Sequence, residues 1–271
     1  MATKVILVTG ASSGIGAAIA ERLAADGHRV FGTSRQGTLS AKGVEAVPLD
    51  VVSDESVRAC VATVLEKGGR IDVLVNNAGY LLGGAVEEAT IEQAKAVFET
   101  NVFGLTRMIK AVLPGMRARG SGLIVNMSSL AGMVPLPFWG YYNASKFAVE
   151  GLSETLRLEL EPFGLHVAMV EPGAIKTPFY AQPQAAPLAV YAPWRNRFLK
   201  TMKGFEEKAP GPDVVASVVS RIVAARKPSL RNRVTTEATI FPFLRWLLPA
   251  WAFQIGIRQG FNLDKKGFAA E

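Results

Sequence analysis

Short runs rich in β-branched residues alternate with longer segments of helical periodicity over most of this chain. The first run, Lys4–Val8, leads directly into a glycine-rich turn and a helical pattern over Ile15–Asp26. Such alternation is typical of βαβ units, whose parallel strands form one sheet with helices on both faces. The sequence therefore predicts an α/β fold with a doubly wound parallel sheet, and its 271 residues suit one large domain.

The pattern gives bounds for the individual elements. The predicted strands are 4–8, 29–34, 44–49, 73–76, 123–128, 166–170 and 233–236. The predicted helices are 15–26, 54–67, 91–119, 142–163 and 214–225, with a kink expected at Pro114. Periodicity is lost over residues 174–210, which are rich in proline and aromatic residues and are predicted to form a long loop that acts as a substrate lid. Residues 1–238 are predicted as one domain that includes this lid, and residues 239–271 as a C-terminal extension.

A glycine-rich turn separates the first strand from the first helix, with Gly10, Gly14 and Gly16 as its glycines. Glycine accepts positive φ and lets backbone N–H groups approach a pyrophosphate at a helix N-terminus. An ATP-type phosphate loop is disfavoured because no Gly-Lys-Ser/Thr follows. The turn therefore indicates a dinucleotide site, although from this motif alone a tight turn without a ligand remains an open interpretation.

The end of the second predicted strand bears on which dinucleotide is bound. An acidic residue there would bind the ribose 2′-hydroxyl and repel a 2′-phosphate. Ser34 and Arg35 stand at this place instead. A guanidinium suits a phosphate by its charge and by its forked donors. The sequence therefore favours NADP(H) over NAD(H). The alternative is that Arg35 is merely exposed at the end of the strand.

Tyr142 and Lys146 lie four residues apart in a predicted helix, thirteen residues after Ser129. A four-residue step places two side chains on one face of a helix. An ammonium beside a phenol favours the phenolate and lowers the phenol pKa from about 10. A phenol tuned in this way exchanges protons near neutral pH, so beside a dinucleotide site the pair predicts hydride transfer. Each residue alone also has a structural interpretation, since a serine after a strand commonly caps the next segment.

Other catalytic designs find little support in the sequence. The histidines, His28 and His166, both lie beside predicted strands, so a Ser-His-Asp triad lacks a base. There is no Cys/His cluster for a zinc site, so no metal is expected, and no nucleic-acid-binding module is recognisable. Cys60 is the single cysteine, and residues 1–10 lack the features of a signal peptide. We therefore expect a cytoplasmic protein.

Together the motifs resemble those of the short-chain dehydrogenase/reductase family, in its shorter branch, over about residues 4–236. The matching segments are Thr9-Gly10-x-x-x-Gly14-x-Gly16, Asp50-Val51, Asn76-Asn77-Ala78-Gly79, the tetrad Asn101, Ser129, Tyr142 and Lys146, and Pro172-Gly173-Ala174-Ile175-Lys176-Thr177. The resemblance implies a Rossmann-type dehydrogenase domain with about seven strands. It also implies an NADP(H)-preferring enzyme similar to carbonyl reductases and hydroxysteroid dehydrogenases.

The resemblance gives each residue of the tetrad a role. Tyr142 would donate or accept the proton, and Ser129 would hydrogen-bond the same substrate oxygen. Lys146 would hold the ribose hydroxyls and depress the pKa of Tyr142, and Asn101 would position a water that links Lys146 to solvent. The implied cofactor-binding residues are Gly10, Ser12, Ser13, Gly14, Ile15, Gly16, Ser34, Arg35, Asp50, Val51, Asn77, Ala78, Gly79, Tyr142, Lys146, Pro172, Gly173, Ile175 and Thr177.

Two adjacent pairs leave a local choice. Tyr142 has a lysine four residues onward and Tyr141 does not, so Tyr141 is predicted to pack or to form part of the pocket wall. The family's spacing from serine to tyrosine then selects Ser129, and Ser128 is predicted to be a strand residue that bonds the backbone.

The segments predicted to line the substrate pocket are apolar. Residues 133–139 (MVPLPFW) lie between the serine and the tyrosine, and the aromatic lid follows Thr177. Pockets that exclude water are commonly lined in this way. We expect a hydrophobic ketone, aldehyde or secondary alcohol (steroid-like, retinoid-like, fatty or arylalkyl), although packing of the lid or of a subunit contact is an open alternative.

Residues 239–257 (TIFPFLRWLLPAWAFQIGI) extend past the family's usual end. Pro242, Pro249 and Arg245 make this segment a poor spanning helix. Residues 195–271 hold 14 Lys and Arg against 6 Asp and Glu, a basic excess that favours anionic partners. Two interpretations remain: the segment closes over the substrate or a neighbouring subunit, which we favour, or it lies in a membrane interface as a peripheral contact.

Three functions remain to be separated. The leading prediction is an NADP(H)-dependent carbonyl reductase or alcohol dehydrogenase. A ketoreductase acting on 3-oxoacyl thioesters of an acidic carrier is the nearest enzymatic alternative, and a redox-silent NADP(H) sensor or scaffold is the alternative from another class. By resemblance the protein is expected to be a homo-dimer or homo-tetramer assembled through the helices that contain Asn101 and Tyr142.

Overall fold

The computed structural model describes residues 2–177 and 184–263, which contain one seven-stranded sheet. Its strands are β1 Val5–Val8, β2 Arg29–Ser34, β3 Val44–Pro48, β4 Val73–Asn76, β5 Gly122–Met127, β6 Leu165–Glu171 and β7 Arg231–Arg233. They lie in the order β3-β2-β1-β4-β5-β6-β7, and each pair of neighbours is parallel. The order reverses between β1 and β4, as it does in doubly wound sheets. The predicted Rossmann-type fold is confirmed.

The helices cover both faces of this sheet. They are α1 Gly14–Ala25, α2 Asp54–Gly68, α3 Ile91–Phe98, α4 Leu105–Arg119, α5 Gly140–Leu160, α6 Ala192–Lys208, α7 Asp213–Ala224, α8 Thr236–Leu247 and α9 Ala250–Gly260. Among the described residues, no helix is both long enough and apolar enough to cross a membrane.

The central strands are continuous apolar segments because both faces of the sheet are buried in the core. Every residue of β1 and of β4 is buried. Leu7 belongs to one apolar cluster, whereas its neighbours Ile6 and Val8 belong to a second. Because successive strand residues point to opposite faces, each strand contributes to the packing on both sides of the sheet. Parallel sheets covered on both faces require this composition.

Local signals fix where the helices begin and end. The Oγ of Ser53 accepts a hydrogen bond from the backbone N–H of Ser56 at 3.2 Å, and Gly69 ends α2 in the left-handed region with φ of 76°. Thr90 and Gln93 form a reciprocal capping box at the start of α3. Caps of this kind each stabilise a helix by about 1 kcal/mol.

The helical stretch predicted over residues 91–119 is divided, although not at Pro114. The helical stretch is interrupted earlier, by a π-helical turn at Glu99–Gly104, and Pro114 lies inside α4. Proline leaves the carbonyl four residues before it without a donor. Here that carbonyl belongs to Lys110, which is exposed like Pro114, so water can supply the missing donor.

The loop predicted over residues 174–210 contains a helix. Helix α6 occupies Ala192–Lys208, with Pro193 in its first turn, where a missing N–H costs nothing. Phe198, Met202 and Phe205 recur at helical spacing along it, a signal hidden by the prolines on either side. Residues 178–183 of the predicted lid lie outside the described residues.

The last strand and the extension also differ from prediction. Strand β7 is Arg231–Arg233 rather than 233–236, because these three residues pair with Met169–Glu171 of β6 and helix α8 begins at Thr236. The apolar stretch at 239–257 forms parts of two helices, α8 and α9. Leu248 and Pro249 separate these helices.

Candidate active site

A cavity of about 840 Å³ lies at the carboxyl ends of the strands, near the reversal between β1 and β4. Doubly wound sheets bind their ligands at this position, and ligand cavities commonly measure about 300 to 1,000 Å³. The loops after β1, β2, β4, β5 and β6 all contribute to its wall. Every residue predicted to bind the cofactor lines the cavity, and so does Ser129.

The glycine turn after β1 is shaped for a closely approaching ligand. Gly10 and Gly14 have positive φ values of 67° and 57°. A Cβ on Gly16 would lie 2.1 Å from the carbonyl oxygen of Gly10, so no side chain fits there. Asn77 braces the turn, because its Nδ2 donates to the carbonyl oxygens of Thr9 and Gly10 at 3.0 Å. Helix α1 begins at Gly14, so its N-terminus faces the cavity and favours an anion there.

The turn after β2 presents a cation to the cavity. The Oγ of Ser34 accepts a hydrogen bond from Thr38 N at 3.1 Å and donates one to Thr38 O at 2.9 Å, which fixes the turn. Arg35 is exposed and lines the cavity, and it forms no ion pair with any residue that the structure describes. Its guanidinium is therefore available to a ligand. Asp50 lines the cavity nearby, where its Oδ1 accepts from Val52 N at 3.2 Å.

Tyr142 and Lys146 share one face of α5, as their spacing predicted. Both are buried and both line the cavity, with the Lys146 Nζ 5.8 Å from the centroid of the Tyr142 ring. The ammonium donates one hydrogen bond to Met127 O at 2.8 Å. Burial lowers the pKa of Lys146 to about 8, opposed by the negative charge of Glu150. Trp139 packs its ring edgewise on Tyr142 at 6.0 Å between centroids.

The two serines after β5 have different partners. Ser129 caps the short 3-10 turn Leu130–Gly132, and its Oγ accepts from Ala131 N at 3.1 Å. Ser128 N donates to Val170 O at 2.8 Å, as expected of a backbone-bonding residue, although β5 ends one residue earlier at Met127. Ser128 also lines the cavity, and its Oγ donates to the Glu150 carboxylate.

Asn101 lies behind the cavity wall, in the π turn between α3 and α4. Its Nδ2 donates to Tyr80 O at 2.9 Å and to Ser145 Oγ at 3.0 Å, and its Oδ1 accepts from Tyr80 N at 3.0 Å. The side chain thus ties the loop after β4 to α5. A Cβ on Gly79 would lie 2.9 Å from Asn101 Oδ1 and 3.9 Å from Lys146 Nζ, so this glycine keeps open the space between them.

A buried pair of carboxylates behind Ser128 was not predicted from the sequence. Arg231 Nη1 lies 2.5 Å from both Glu150 Oε2 and Glu171 Oε1. Burial raises the pKa of Glu171 to about 7 and also raises the pKa of Glu150. Glu150 follows Lys146 by one helical turn, a spacing that signals a shared face, but nothing in the sequence indicates that Arg231 lies beside it.

The remaining wall is mainly apolar and comes from several elements. It includes Leu82, Leu130, Leu136, Trp139, Met202, Phe205, Phe241 and Phe261. The last four come from α6, α8 and the end of α9, so Phe241 and Phe261 of the C-terminal segment contribute to the cavity wall. Tyr141 is not among the lining residues.

Other polar lining residues lay outside the sequence prediction. Tyr80, Gln93, Thr100 and Glu237 line the cavity without belonging to any motif used in that prediction. Glu237 Oε1 accepts from Ala174 N at 3.2 Å, which joins the start of α8 to the loop after β6. Within residues 2–177 and 184–263, no group of His, Cys, Asp and Glu has an arrangement that could hold a metal ion.

Comparison with known proteins agrees with this geometry. The family model for short chain dehydrogenases matches residues 4–187. A 3-ketodihydrosphingosine reductase of Bacteroides thetaiotaomicron is 41% identical over 86% of this chain and 88% of its own. Retinol dehydrogenase 8 of Bos taurus is 36% identical over 94% of this chain and 88% of its own. The crystal structure of a short-chain dehydrogenase from Streptomyces avermitilis superposes with a TM-score of 0.81, at 35% identity, over 99% of this chain and 100% of that one.

Similar solved structures contain nicotinamide cofactors. A short chain dehydrogenase/reductase from Burkholderia phymatum in complex with NAD is 26% identical, with a TM-score of 0.77 over 90% of this chain and 93% of its own. A variant of actinorhodin polyketide ketoreductase with NADPH is 33% identical, with a TM-score of 0.76 over 88% of this chain and 98% of its own. Here the turn that excludes a Cβ at Gly16 and the helix N-terminus at Gly14 suit a dinucleotide pyrophosphate. The chain belongs to the short-chain dehydrogenase/reductase family, oxidoreductases that act on CH–OH groups with a nicotinamide cofactor.

Proposed function

We propose that this enzyme interconverts a hydrophobic ketone or aldehyde and its alcohol with NADP(H). The observation that carries the proposal is the buried Tyr142, which lines an apolar cavity with the Lys146 ammonium 5.8 Å from its ring. A phenol in this position can give a proton to a substrate oxygen and regain it in the reverse reaction. In this proposal residues 1–238 form the dehydrogenase domain, 174–210 act as lid, and 239–271 close the cavity.

Each of the four tetrad residues has a distinct task in this mechanism. When bound, the nicotinamide supplies or takes up the hydride at the carbon of the substrate. Tyr142 donates a proton to the oxygen that becomes an alkoxide, and Ser129 donates a hydrogen bond to the same oxygen and orients it. Lys146 has two further N–H donors beyond the one on Met127, and these hold the ribose hydroxyls.

The charge of Lys146 makes the Tyr142 phenol more acidic, because a nearby cation stabilises the phenolate. Asn101 supports this lysine from behind: it holds Ser145, the residue before Lys146, and borders the space left by Gly79. We assign that space to a water through which Lys146 exchanges protons with solvent. The cofactor itself would be held by the cavity-lining residues predicted from the sequence.

Arg35 supports a preference for NADP(H) over NAD(H). It faces the cavity without an ion-pair partner in the described part of the chain, and Ser34 stands beside it where an acid would repel phosphate. A guanidinium can form paired hydrogen bonds with a 2′-phosphate.

The apolar wall supports a hydrophobic substrate. Trp139, Phe241 and Phe261 line the cavity together with leucines and Met202, and few side-chain donors lie among them. Two of the similar proteins are named as reductases or dehydrogenases of hydrophobic molecules, a ketodihydrosphingosine and a retinol. We further propose a cytoplasmic homo-oligomer, with peripheral contact to membranes through the C-terminal segment.

A panel of ketones assayed with NADPH and with NADH tests the proposal directly. We expect turnover of bulky apolar ketones with NADPH, at a higher kcat/KM than with NADH and than for sugar-like or short polar ketones. Preference for a 3-oxoacyl thioester would instead identify the ketoreductase alternative. Binding of NADPH without turnover of any carbonyl compound would favour the redox-silent sensor.

A further inference from the structure

The two C-terminal helices carry apolar side chains on opposite sides. Phe241 and Leu244 of α8, and Phe253 and Ile257 of α9, pack into the apolar cluster that includes Trp139 and Tyr142. A second set points to solvent, at exposures between 38% and 80%. This set, called here the C-terminal apolar face, consists of Ile240, Phe243, Trp246, Leu247, Leu248, Trp251 and Ile255.

The spacing of these exposed side chains makes them one surface on each helix. Ile240, Phe243 and Trp246 follow each other at three-residue steps on α8, and the Phe243 and Trp246 rings lie 6.1 Å apart. Trp251 and Ile255 are one turn apart on α9. Large apolar side chains grouped in this way mark an interaction site, whereas single exposed ones do not.

Two tryptophans favour a lipid partner for this surface. Trp246 is 80% exposed and Trp251 is 66% exposed. Tryptophan is enriched where membrane meets water, because its ring is apolar and its N–H still bonds polar groups. Pro242 lies inside α8 and Pro249 precedes α9, so the segment is broken into short helices that suit the plane of an interface.

The charges of the segment favour an anionic partner over a second copy of this chain. Residues 238–263 contain Arg245 and Arg258 and no Asp or Glu. Arg258 lies three residues after Ile255, on the exposed side of α9. Arg245 donates to the carbonyl oxygen of Met133 and lies over the Phe147 ring, so Arg258 is the cation directed to solvent. A symmetric contact between two copies of this surface would offer Arg258 no carboxylate from the same segment, whereas anionic headgroups would attract it.

We propose that the C-terminal apolar face inserts into the interface of an anionic lipid bilayer, with α8 and α9 lying along the membrane surface. Phe241 of α8 and Phe261, directly after α9, form part of the cavity wall, so a hydrophobic substrate passes from the lipid into the cavity beside these helices. Phe205 marks the opening, because it lines the cavity, is 46% exposed and contacts Phe261 at 6.3 Å between ring centroids. This route for the substrate rests on the proposed function.

Vesicle binding tests this surface without any turnover, so its failure is distinguishable from failure of the reductase activity. The full chain is mixed with vesicles of phosphatidylcholine alone, or of phosphatidylcholine with phosphatidylglycerol, and bound protein is measured by co-flotation. We expect binding to the anionic vesicles that weakens with added salt. The double variant Trp246→Ser/Trp251→Ser should bind at least tenfold more weakly.

A matched control changes exposed apolar residues elsewhere. Leu65→Ser/Ile91→Ser alters side chains that are 41% and 58% exposed on α2 and α3, and it should bind vesicles like the parent. Unchanged NADPH affinity shows that each variant is folded. Absent vesicle binding by the parent, or equal binding by the tryptophan variant, would overturn the proposal. A parent dimer that the tryptophan variant converts to monomer, without vesicle binding, would identify a second copy as the occupant.

Discussion

The ammonium of Lys146 is enclosed by protein, and burial lowers its pKa from 10.5 to about 8. A lysine whose folded pKa is depressed destabilises the folded state most below pH 8, where it is charged in both states. This penalty, roughly 3 kcal/mol, fades as pH rises from about 8 through 10.5, and it is absent well above pH 10.5, where the side chain is neutral in both states. In our proposal this loss of stability has a functional reason, because the charge of the Lys146 ammonium stabilises the phenolate of the neighbouring Tyr142.

Comparison of the parent with Lys146→Met across pH isolates this penalty. The methionine keeps the length of the side chain and removes its charge. We expect the free energy of unfolding of the parent, relative to the variant, to increase by roughly 3 kcal/mol between pH 7 and about pH 10.5. Urea unfolding of both proteins measures it, and a difference that does not vary with pH would show that Lys146 keeps an ordinary pKa.

We propose that the choice between NADP(H) and NAD(H) depends on Arg35. Arg35→Ala should raise the Kd of NADPH about tenfold or more, because a hydrogen bond to a charged group is worth about 1.5 to 3 kcal/mol. The Kd of NADH should change little. Arg58→Ala, another exposed arginine but away from the cavity, is the control. Equal losses for both cofactors would remove Arg35 from 2′-phosphate recognition.

Among the elements, the edge strand β7 depends on charge rather than on apolar packing. Arg231 there contacts both buried carboxylates, whereas Arg233 approaches only Glu171, at 3.7 Å. Removal of one partner from a buried ion pair leaves an uncompensated charge and costs about 3 to 5 kcal/mol. Arg231→Met should therefore lower the free energy of unfolding by about that amount.

Arg233→Met is the matched control: Arg233 is as exposed as Arg231, but it lies 3.7 Å from Glu171, beyond hydrogen-bond distance, so its loss should cost less than about 1 kcal/mol. Urea unfolding at neutral pH compares the two variants. Similar losses from both would mean that Arg231 does not neutralise the carboxylate pair.

Some elements could be predicted from their own residues, whereas others depend on contacts between distant parts of the chain. The apolar strands and the glycine turn could be predicted because each is specified by its own residues, as are the caps at Ser53 and Thr90. Helix α6 could not, since prolines around it outweigh the helical spacing of Phe198, Met202 and Phe205. Arg231 and Glu150 are 81 residues apart in the sequence, and no local sequence pattern predicts their contact.

In the whole molecule, the C-terminal segment contributes Phe241 and Phe261 to the wall of the cavity above the sheet. The tetrad was predictable by motif, but Phe241 and Phe261 reach the cavity only through tertiary packing. Tyr80 and Glu237 likewise became visible as lining residues once the chain was folded. The residues that we propose bind the cofactor therefore belong to local sequence motifs, whereas those that we propose contact the substrate are brought together by tertiary packing.

The variant Phe241→Ala tests whether a side chain of the C-terminal segment contacts the substrate. It should raise KM for a bulky apolar ketone about tenfold, because burial of the partly exposed Phe241 ring against the substrate would contribute up to roughly 1.5 to 3 kcal/mol. KM for a small ketone and the Kd of NADPH should change little. Phe243→Ala, two residues away and 53% exposed, is the control with detergent-solubilised substrate. Equal effects of the two variants would contradict a substrate contact at Phe241.

We propose that Tyr142 moves the proton, and single-turnover kinetics of Tyr142→Phe measure that step. The substitution removes one hydroxyl and keeps the ring that packs on Trp139. We expect the rate of hydride transfer to fall by at least about 10²-fold, with the Kd of NADPH nearly unchanged. A variant that binds NADPH normally and still reduces the ketone at the parent rate would contradict the account.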